Sequence, residues 1–384
     1  MKSLTCYRAL AGTATVLTAV ALAAAGCSGG TKQNAPSPSP SAEVTAVSSP
    51  SEAPSTAPTE TATDAATPEV TATETAAADW APEAAATVAA EWLAAQLVDG
   101  THQETEYDGA MFTDYGLTVD TLFALAATGQ LDQAGAIAEW LVEPDNLIAY
   151  IGDGEMALYP GAVGKLGLAL GIEGLNVTRE GAAAADQMVA ALTDRLADTG
   201  RFQDLSEFGD YSTPTGQALD VVFLAQQSAL GDLPADPVAF LASAQCEDGG
   251  YPSTFNDPEG CQSDPDSTTV VVQALMAAGG HEERVTSALT WLYNFQEADG
   301  SWASMGAVTP NSTGLAVSLL SQVDSEEARG AVNLGLQVLA TWQLPDGAFP
   351  AAAGGSAGDA RATSQAVLGL AGVDYLSLAG LVVL

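Results

Sequence analysis

The chain has 384 residues, and its 48 acidic residues outnumber the 10 basic ones so strongly that the formal net charge at pH 7 is −38. A surface this negative repels phosphate groups, which argues against binding of nucleic acids or of anionic membrane surfaces. The length would accommodate two average domains, but residues 1–79 do not have the composition of a folded domain. Only the remaining chain needs a hydrophobic core.

The segment 1–27 has the layout of an export signal. Lys2 and Arg8 precede an uncharged apolar run that ends in small residues directly before Cys27. This end resembles a bacterial lipobox and implies that Cys27 carries a lipid, although Ala24 stands where leucine is commoner. Cleavage by an ordinary signal peptidase is the alternative. We expect a lipoprotein on the outer face of the cytoplasmic membrane, held there by its lipid anchor.

Residues 28–79 are rich in Pro, Ser, Thr, Ala and Glu and contain no aromatic side chain. Such a segment cannot bury enough apolar surface to offset the conformational entropy that is lost on ordering. It is predicted to be a disordered linker between the membrane anchor and a folded domain that spans residues 80–384.

The folded domain contains an internal repeat with the pattern Gln-x-x-Asp-Gly-x-aromatic, which we call the glycine-turn motif. Three complete and three partial copies begin at Gln96, Asp153, Asp198, Gln245, Gln296 and Gln343. An acidic residue followed by glycine ends a helix and turns the chain, and the glutamine amide can bind backbone groups that the helix end leaves unpaired.

Each motif lies between two segments with helical periodicity, so every repeat is predicted to be a helical hairpin. The second helix of each hairpin begins at a residue that aligns between repeats. These aligned residues are Thr118, Gly161, Thr215, Thr268, Thr313 and Thr363. No hairpin can bury its apolar stripe alone, whereas six can close into a ring. The predicted fold class is all-α, an α6/α6 toroid whose second helices form the inner layer.

These repeats resemble the QW repeats of the α/α toroid superfamily, which includes squalene and hopene cyclases, protein prenyltransferase β-subunits and the cobalamin carriers of the intrinsic-factor type. The resemblance covers about residues 80–384. It implies the toroid fold and leaves the function open, because this architecture serves several unrelated activities.

The segment that runs from Asp264 to Thr269 resembles the Asp-x-Asp-Asp-Thr-Ala box of class II terpene cyclases, whose middle Asp protonates an alkene or epoxide. The resemblance implies that Asp266, together with Asp264, forms the catalytic site of a cyclase. The last Asp of the box is replaced by Ser267, however. The alternative interpretation is that Asp266 and Ser267 cap the N-terminus of a helix.

Polar residues near the starts of the inner helices are expected to meet around one mouth of the ring. A concave rim with a few polar groups and aromatic walls is a common form of small-molecule site. The expected ligand-binding residues are Asp114, Tyr115, Tyr211, Asp264, Asp266, Trp302, Asn311, Asp359 and Arg361. Helix capping and packing of the turns are the alternative roles for each of them.

Two pairs of residues are expected to stabilise the domain. Cys246 and Cys261 span a loop that contains glycine and proline, and outside the reducing cytosol they are expected to form a disulfide. Lys165 is the only lysine after the linker and lies on an inner helix, so it needs a charged partner. Asp220, one repeat further on, is the candidate.

These observations favour a non-catalytic protein that binds a small hydrophobic or bulky metabolite, or a cell-surface partner, at the mouth. No metal or cofactor is expected, because neither His102 nor His281 lies at the start of an inner helix, and a corrinoid is admissible as a bound ligand. Two alternatives stay open. One is a terpene cyclase or prenyltransferase-like enzyme that acts on an isoprenoid; the other is a polysaccharide-active enzyme, which needs two carboxylates flanking the bond.

Overall fold

The computed structural model describes residues 80–175, 179–255 and 260–381. The predicted signal peptide with Cys27 and the predicted linker lie outside the described residues. The helices of the described chain are α1 (Pro82–Ala95), α2 (Tyr115–Ala127), α3 (Leu131–Leu141), α4 (Pro144–Ile151), α5 (Pro160–Leu170), α6 (Arg179–Arg195), α7 (Pro214–Gln226), α8 (Pro237–Ser243), α9 (Pro265–Ala278), α10 (Glu282–Phe295), α11 (Pro310–Leu320), α12 (Glu326–Trp342), α13 (Ala360–Ala371) and α14 (Tyr375–Leu378).

Two short antiparallel hairpins accompany the helices. They are formed by β1 (Glu104–Tyr107) with β2 (Ala110–Thr113) and by β3 (Ala303–Ser304) with β4 (Ala307–Val308). The first hairpin leads into α2 and the second into α11. None of the described helices combines the length and the apolar character that crossing a membrane requires.

The helices alternate between two layers. The outer layer consists of α1, α3, α6, α8, α10 and α12, and the inner layer of α2, α5, α7, α9, α11 and α13. Each inner helix packs against the inner helices before and after it, and the last one, α13, packs against both α1 and α2. The chain therefore closes into the predicted all-α, α6/α6 toroid.

The glutamine of the glycine-turn motif joins successive repeats. In each complete copy its side-chain amide donates to the carbonyl of the motif glycine and to a carbonyl of the next outer helix. The three sets are Gln245 with Gly249 and Arg284, Gln296 with Gly300 and Ala331, and Gln343 with Gly347 and Ala85. Because Ala85 belongs to α1, the bond from Gln343 (3.0 Å) joins the last repeat to the first.

The third repeat lacks the motif glutamine, and Gln217 of the inner helix α7 replaces it. The Gln217 amide donates to the carbonyls of Gly200 in the turn (2.7 Å) and Pro237 in α8 (3.1 Å). Gln217 follows the capping residue of α7 by four positions, as the aligned threonines do in other inner helices. The sequence alignment of Thr215 with those threonines was therefore wrong by two residues.

The aromatic residues of the complete motifs are buried between the two layers. Tyr251, Trp302 and Phe349 have no exposed surface, and their backbone N–H groups donate to the aligned threonines of the following inner helices. The indole N–H of Trp302 donates to the carbonyl of Leu292 in α10 (3.0 Å). Trp302 is thus a core residue and does not line the mouth, contrary to the expectation from the sequence.

Two pairs of inner helices approach so closely that only glycine fits between them. A β-carbon on Gly164 of α5 would lie 2.6 Å from the Cα of Asp220 in α7. A β-carbon on Gly314 of α11 would lie 2.5 Å from the Cα of Ala366 in α13. Real β-carbons do not come this close to backbone atoms, so the sequence of these helices fixes the shape of the ring.

The predicted disulfide between Cys246 and Cys261 is present, with the two Cα atoms 5.5 Å apart. It closes the loop that precedes α9. Asp248 of the same loop accepts hydrogen bonds from the hydroxyl of Ser263 (2.5 Å) and the indole N–H of Trp291 (3.0 Å). The loop that leads into α9 is therefore held by a covalent bond and by hydrogen bonds.

Gly314 and Gly330 form a matched pair for testing the close helix contacts. Gly314→Ala places a methyl group against the backbone of α13, and we expect it to lower the free energy of unfolding by about 1–3 kcal/mol. Gly330→Ala in α12 meets no atom within 4 Å. It is expected to raise that free energy by about 1 kcal/mol, because alanine is the better helix former. Denaturant unfolding measures both changes, and equal effects would contradict the close contact.

Candidate functional site

The inner helices all begin at one end of the ring, which we call the mouth, and we call the region that they enclose the bore. Side chains at the mouth cap these helices by accepting hydrogen bonds from N–H groups of the first turn. They are Asp114, Thr213, Asp264, Thr309 and Asp359. Tyr211, which the sequence placed at the equivalent position before α7, is 72% exposed in the preceding loop.

Asp264 and Asp266 have different roles at the start of α9. Asp264 is the cap: one carboxylate oxygen accepts from the N–H of Ser267 (3.0 Å), and the other accepts from the hydroxyl of Ser304 (2.6 Å). Asp266 stands two positions further on and accepts no capping hydrogen bond. The interpretation of Asp266 as a helix cap was therefore wrong.

The carboxyl group of Asp266 is buried in a setting that favours its neutral form. Burial raises the pKa of Asp266 to about 7, and the charge of Asp264 adds to the rise, whereas hydrogen bonding from the Ser312 hydroxyl opposes it. Its Oδ1 atom is buried and has no hydrogen-bond partner among the described residues. The environment of Asp266 therefore favours the protonated form up to about pH 7.

Four charged residues, which we call the charge cluster, lie on the other side of the ring. Asp120 of α2 pairs with Lys165 of α5 (2.6 Å) and with Arg361 of α13 (3.4 Å), and Arg361 also pairs with Asp114 (2.9 Å). These ion pairs join three neighbouring inner helices. Because α2 and α9 are three places apart in a ring of six, the charge cluster stands opposite Asp266.

The predicted pairing of Lys165 with Asp220 was wrong, because Lys165 bonds to Asp120 on the other neighbouring helix. Asp220 lies against the backbone of Gly164 in the narrow gap between α5 and α7, and neither of its carboxyl oxygens has a hydrogen-bond partner in the described chain. Burial raises the pKa of Asp220 well above the usual range of an aspartate. The environment of Asp220, packed between two helices, therefore favours its neutral form.

A stack of aromatic rings borders the charge cluster. His102, Trp140, Tyr115 and Tyr150 follow one another with ring centroids 4.5, 5.6 and 6.0 Å apart. Tyr150 is buried; burial raises its pKa most strongly, and the nearby charge of Asp120 adds to the rise. The predicted residue Tyr115 thus lies in an aromatic wall beside the cluster.

Large apolar side chains are exposed on the loops and hairpins that lead into the inner helices, and together we call them the apolar rim. They are Tyr107, Met111, Phe112, Met156, Phe208, Tyr211 and Met305, with exposed fractions between 52% and 76%. Single exposed apolar residues are ordinary in soluble proteins, whereas a concentration of them around one opening is informative. The apolar rim makes the surroundings of the mouth less polar than the acidic composition suggests.

The predicted ligand-binding residues fall on two sides of the mouth. One side holds Asp114, Tyr115, Asp359 and Arg361, and the other holds Asp264, Asp266 and Asn311. Asp120, Ser304 and Ser312 also belong to the site and were not predicted as ligand-binding residues. The signal in the sequence for Asp120 is an acidic residue in the otherwise apolar helix α2. Within the described ranges, no group of three or more His, Cys, Asp or Glu side chains is arranged to hold a metal ion.

Neither a protein-family model nor a curated protein matches this sequence. Solved structures do match it. They include a protein from Actinoplanes (17% identity, TM-score 0.56, covering 78% of this chain and 99% of that chain). The type II terpene cyclase MstE from Scytonema, without ligand, has 17% identity and a TM-score of 0.55 over 76% of this chain and 97% of that chain. An unsaturated glucuronyl hydrolase specific for heparin has 10% identity and a TM-score of 0.56 over 77% and 96%. The likeness establishes the α/α toroid fold alone.

Asp220 and Asp120 allow a matched test of the two buried aspartates. Because folding raises the pKa of Asp220, its contribution to stability is present at low pH and is lost as the pH rises toward the folded pKa. Asp220→Asn, which cannot ionise, should therefore raise Tm by a few degrees at neutral pH and by less near about pH 4.

Asp120→Asn should have the opposite effect, because it leaves Lys165 largely buried without its carboxylate partner. We expect a loss of stability on the order of 2 kcal/mol at neutral pH. Thermal unfolding of Asp220→Asn and Asp120→Asn at neutral pH and near about pH 4 tests both predictions. Shifts of Tm in the same direction would contradict these assignments.

Proposed function

We propose that the protein is an enzyme in which Asp266 transfers a proton to a carbon–carbon double bond of an isoprenoid substrate, as the resemblance to class II terpene cyclases implies. The observation that carries the proposal is the state of Asp266, which is buried, has a pKa raised to about 7 and has an unpartnered oxygen among the described residues. A general acid is most effective when its pKa lies near the working pH.

This proposal replaces the non-catalytic binding role that the sequence favoured. That role was favoured by the export signal, the long linker and the incomplete catalytic box, in which Ser267 stands in place of the last aspartate. The hydroxyl of Ser267 lies 3.1 Å from that of Thr215 in α7, so this position faces the neighbouring helix. The substitution therefore leaves the pair of Asp264 and Asp266 in place.

An apolar substrate is supported by the apolar rim and by the neighbouring structures. The cyclase MstE has been determined with geranylgeranyl dihydroxybenzoate as its substrate (TM-score 0.54, 16% identity to this chain). A chain of isoprene units could pass Met305 and the other exposed side chains and reach Asp266 in the first turn of α9. Transfer of such a chain from water into the bore would supply the binding energy.

The proposed reaction balances without a further reactant. The carboxyl proton of Asp266 adds to one carbon of a double bond, and the neighbouring carbon becomes a cation. A second double bond of the same chain attacks this cation, so that a carbon–carbon bond forms. Loss of a proton to water ends the sequence, Asp266 regains a proton from solvent, and the product is an isomer of the substrate.

A polysaccharide-active hydrolase is the second candidate, because two carboxyl groups with different partners stand on opposite sides of the ring: Asp266 has an unpartnered oxygen among the described residues, and Asp120 is ion-paired. Glycoside hydrolysis needs one protonated and one ionised carboxyl group. Asp266 and the ion-paired Asp120 would fit those roles, and one structural neighbour is an unsaturated glucuronyl hydrolase. Both oxygens of Asp120 are engaged by Lys165 and Arg361, however, which leaves this group poorly suited to activate water.

We also propose that the enzyme is exported and anchored by a lipid on Cys27, as the sequence of the first segment implies. An anchored enzyme would meet isoprenoid lipids in the membrane that holds it. Mass spectrometry of the membrane-bound protein tests the anchor, since an unmodified or absent Cys27 in the mature protein contradicts it.

Asp266→Asn tests the proposed function. The full chain is incubated with squalene, geranylgeraniol or geranylgeranyl diphosphate, and isomeric cyclised products are measured by gas chromatography with mass spectrometry. We expect turnover of at least one substrate, a loss of about a thousandfold in Asp266→Asn, and a wild-type rate that falls as the pH rises through about 7, because Asp266 must be protonated.

Asp220→Asn is the control for this experiment, since it removes another buried acid that packs between two helices away from Asp266. Its rate should stay within about threefold of the wild type. Equal turnover by the wild type and Asp266→Asn would contradict the proposal, and so would the absence of turnover with the whole panel.

A further inference from the structure

The segment that follows α13 closes the bore at the end opposite the mouth. Helix α13 ends at Gly372 in the left-handed conformation (φ 62°), and Asp374 caps the short helix α14 by accepting from the N–H of Ser377 (2.8 Å). Helix α14 contacts both α2 and α9, which stand opposite each other in the ring. The side chains of this segment that are buried are Tyr375, Leu376, Leu378 and Ala379. The segment therefore fills the space between opposite inner helices.

Tyr375 extends from this segment into the bore. Its backbone N–H donates to Oε1 of Gln273 in α9 (2.9 Å), and its ring meets that of Phe123 in α2 edge-on, with centroids 5.2 Å apart. Burial raises the pKa of Tyr375 most strongly, and the nearby charges of Asp120 and Asp266 add to the rise. The Tyr375 hydroxyl thus lies within electrostatic reach of carboxyl groups on both sides of the ring.

The depth of the bore below Asp266 can be measured along α9. Gln273, which holds the backbone of Tyr375, follows Asp266 by seven residues on the same face of the helix. Seven residues of α-helix rise by about 10 Å. Asp266 and the residue that holds the Tyr375 segment are therefore separated by about two helical turns along α9, and the tyrosine ring lies in this interval.

We propose that Tyr375 is the floor of the substrate site and limits the length of isoprenoid chain that fits beneath Asp266. The inference rests on the proposed function for the class of substrate and adds a residue that determines specificity. A substrate enters at the mouth, its reacting double bond lies at Asp266, and the chain below that bond ends against the Tyr375 ring.

The position of Tyr375 distinguishes this role from that of an ordinary core aromatic. Trp302 and Phe349 are buried between the inner and outer layers, where no ligand that enters the bore would contact them. Tyr375 instead stands inside the inner layer, in line with the mouth. Its removal should lengthen the bore, whereas the removal of Phe349 should only loosen the packing of the two layers.

The test measures binding by the full chain carrying Asp266→Asn, so that no turnover is needed. Affinities for geraniol, farnesol and geranylgeraniol are measured by isothermal titration calorimetry. In Tyr375→Ala we expect the affinity for geranylgeraniol, relative to geraniol, to rise about tenfold, because the longer chain gains buried apolar surface. Tyr375→Phe, which keeps the ring, should change this ratio less than about twofold.

Two further variants distinguish a specific effect on chain-length preference from a general loss of stability. Phe349→Ala should lower Tm and leave the chain-length preference unchanged. Tyr375→Leu keeps an apolar contact with Phe123 while it shortens the side chain, so it serves if Tyr375→Ala does not fold, and it should shift the preference in the same direction.

The outcomes separate the two proposals. An unchanged chain-length preference in Tyr375→Ala and Tyr375→Leu would contradict the role of Tyr375 as the floor and would leave the acid role of Asp266 unaffected. A shifted preference without turnover by the wild type would support the floor and contradict the cyclase. Failure of every variant to bind any of the three alcohols would overturn both.

Discussion

The fold depends on a glutamine side-chain amide that forms hydrogen bonds within its own hairpin and with the next one. The motif glutamine satisfies a carbonyl in its own turn and a carbonyl of the next outer helix, and it can do so because its amide has two N–H groups. Gln343 makes the same pair of bonds, but its second acceptor is Ala85 in the first helix, so the bond that links repeats also closes the ring. Gln217 supplies these bonds from the inner layer where the motif has lost its glutamine.

Closure of the ring accounts for the candidate acid. It brings the starts of the inner helices to one mouth, where Asp264 caps α9 and thereby places a charge beside Asp266. Both carboxyl groups are buried, but Asp264 accepts hydrogen bonds from the N–H of Ser267 and the hydroxyl of Ser304, whereas Oδ1 of Asp266 has no partner among the described residues. The environment therefore favours the proton on Asp266. On the opposite side, Lys165 and Arg361 hold Asp120 in ion pairs. The neighbouring charges therefore distinguish Asp266 from Asp120, although both residues are aspartates.

The toroid could be predicted from the sequence because its signal is local and repeated: a glycine turn, a glutamine and a helical period. The partners within the site could not, because they depend on register and on which helices pack closely. Gly164 brings Asp220 against α5, whereas Lys165 bonds to Asp120 on the other neighbouring helix. Asp266 was wrongly interpreted as a helix cap, because the residue that caps α9 is Asp264, two positions closer to the N-terminus. Tyr375 lies after the last repeat, where the periodicity makes no prediction.

The protonation state of Asp266 in the folded protein is the most direct test of this mechanism. Infrared difference spectra between the wild type and Asp266→Asn, recorded as the pH is raised, isolate its carboxyl stretching band, while the band of Asp220 is common to both proteins. We expect a protonated carboxyl band that is present at mildly acidic pH, disappears near pH 7 and is missing from the variant. A group that is already ionised at about pH 5, as an ordinary aspartate is, would contradict the role of Asp266 as a buried acid.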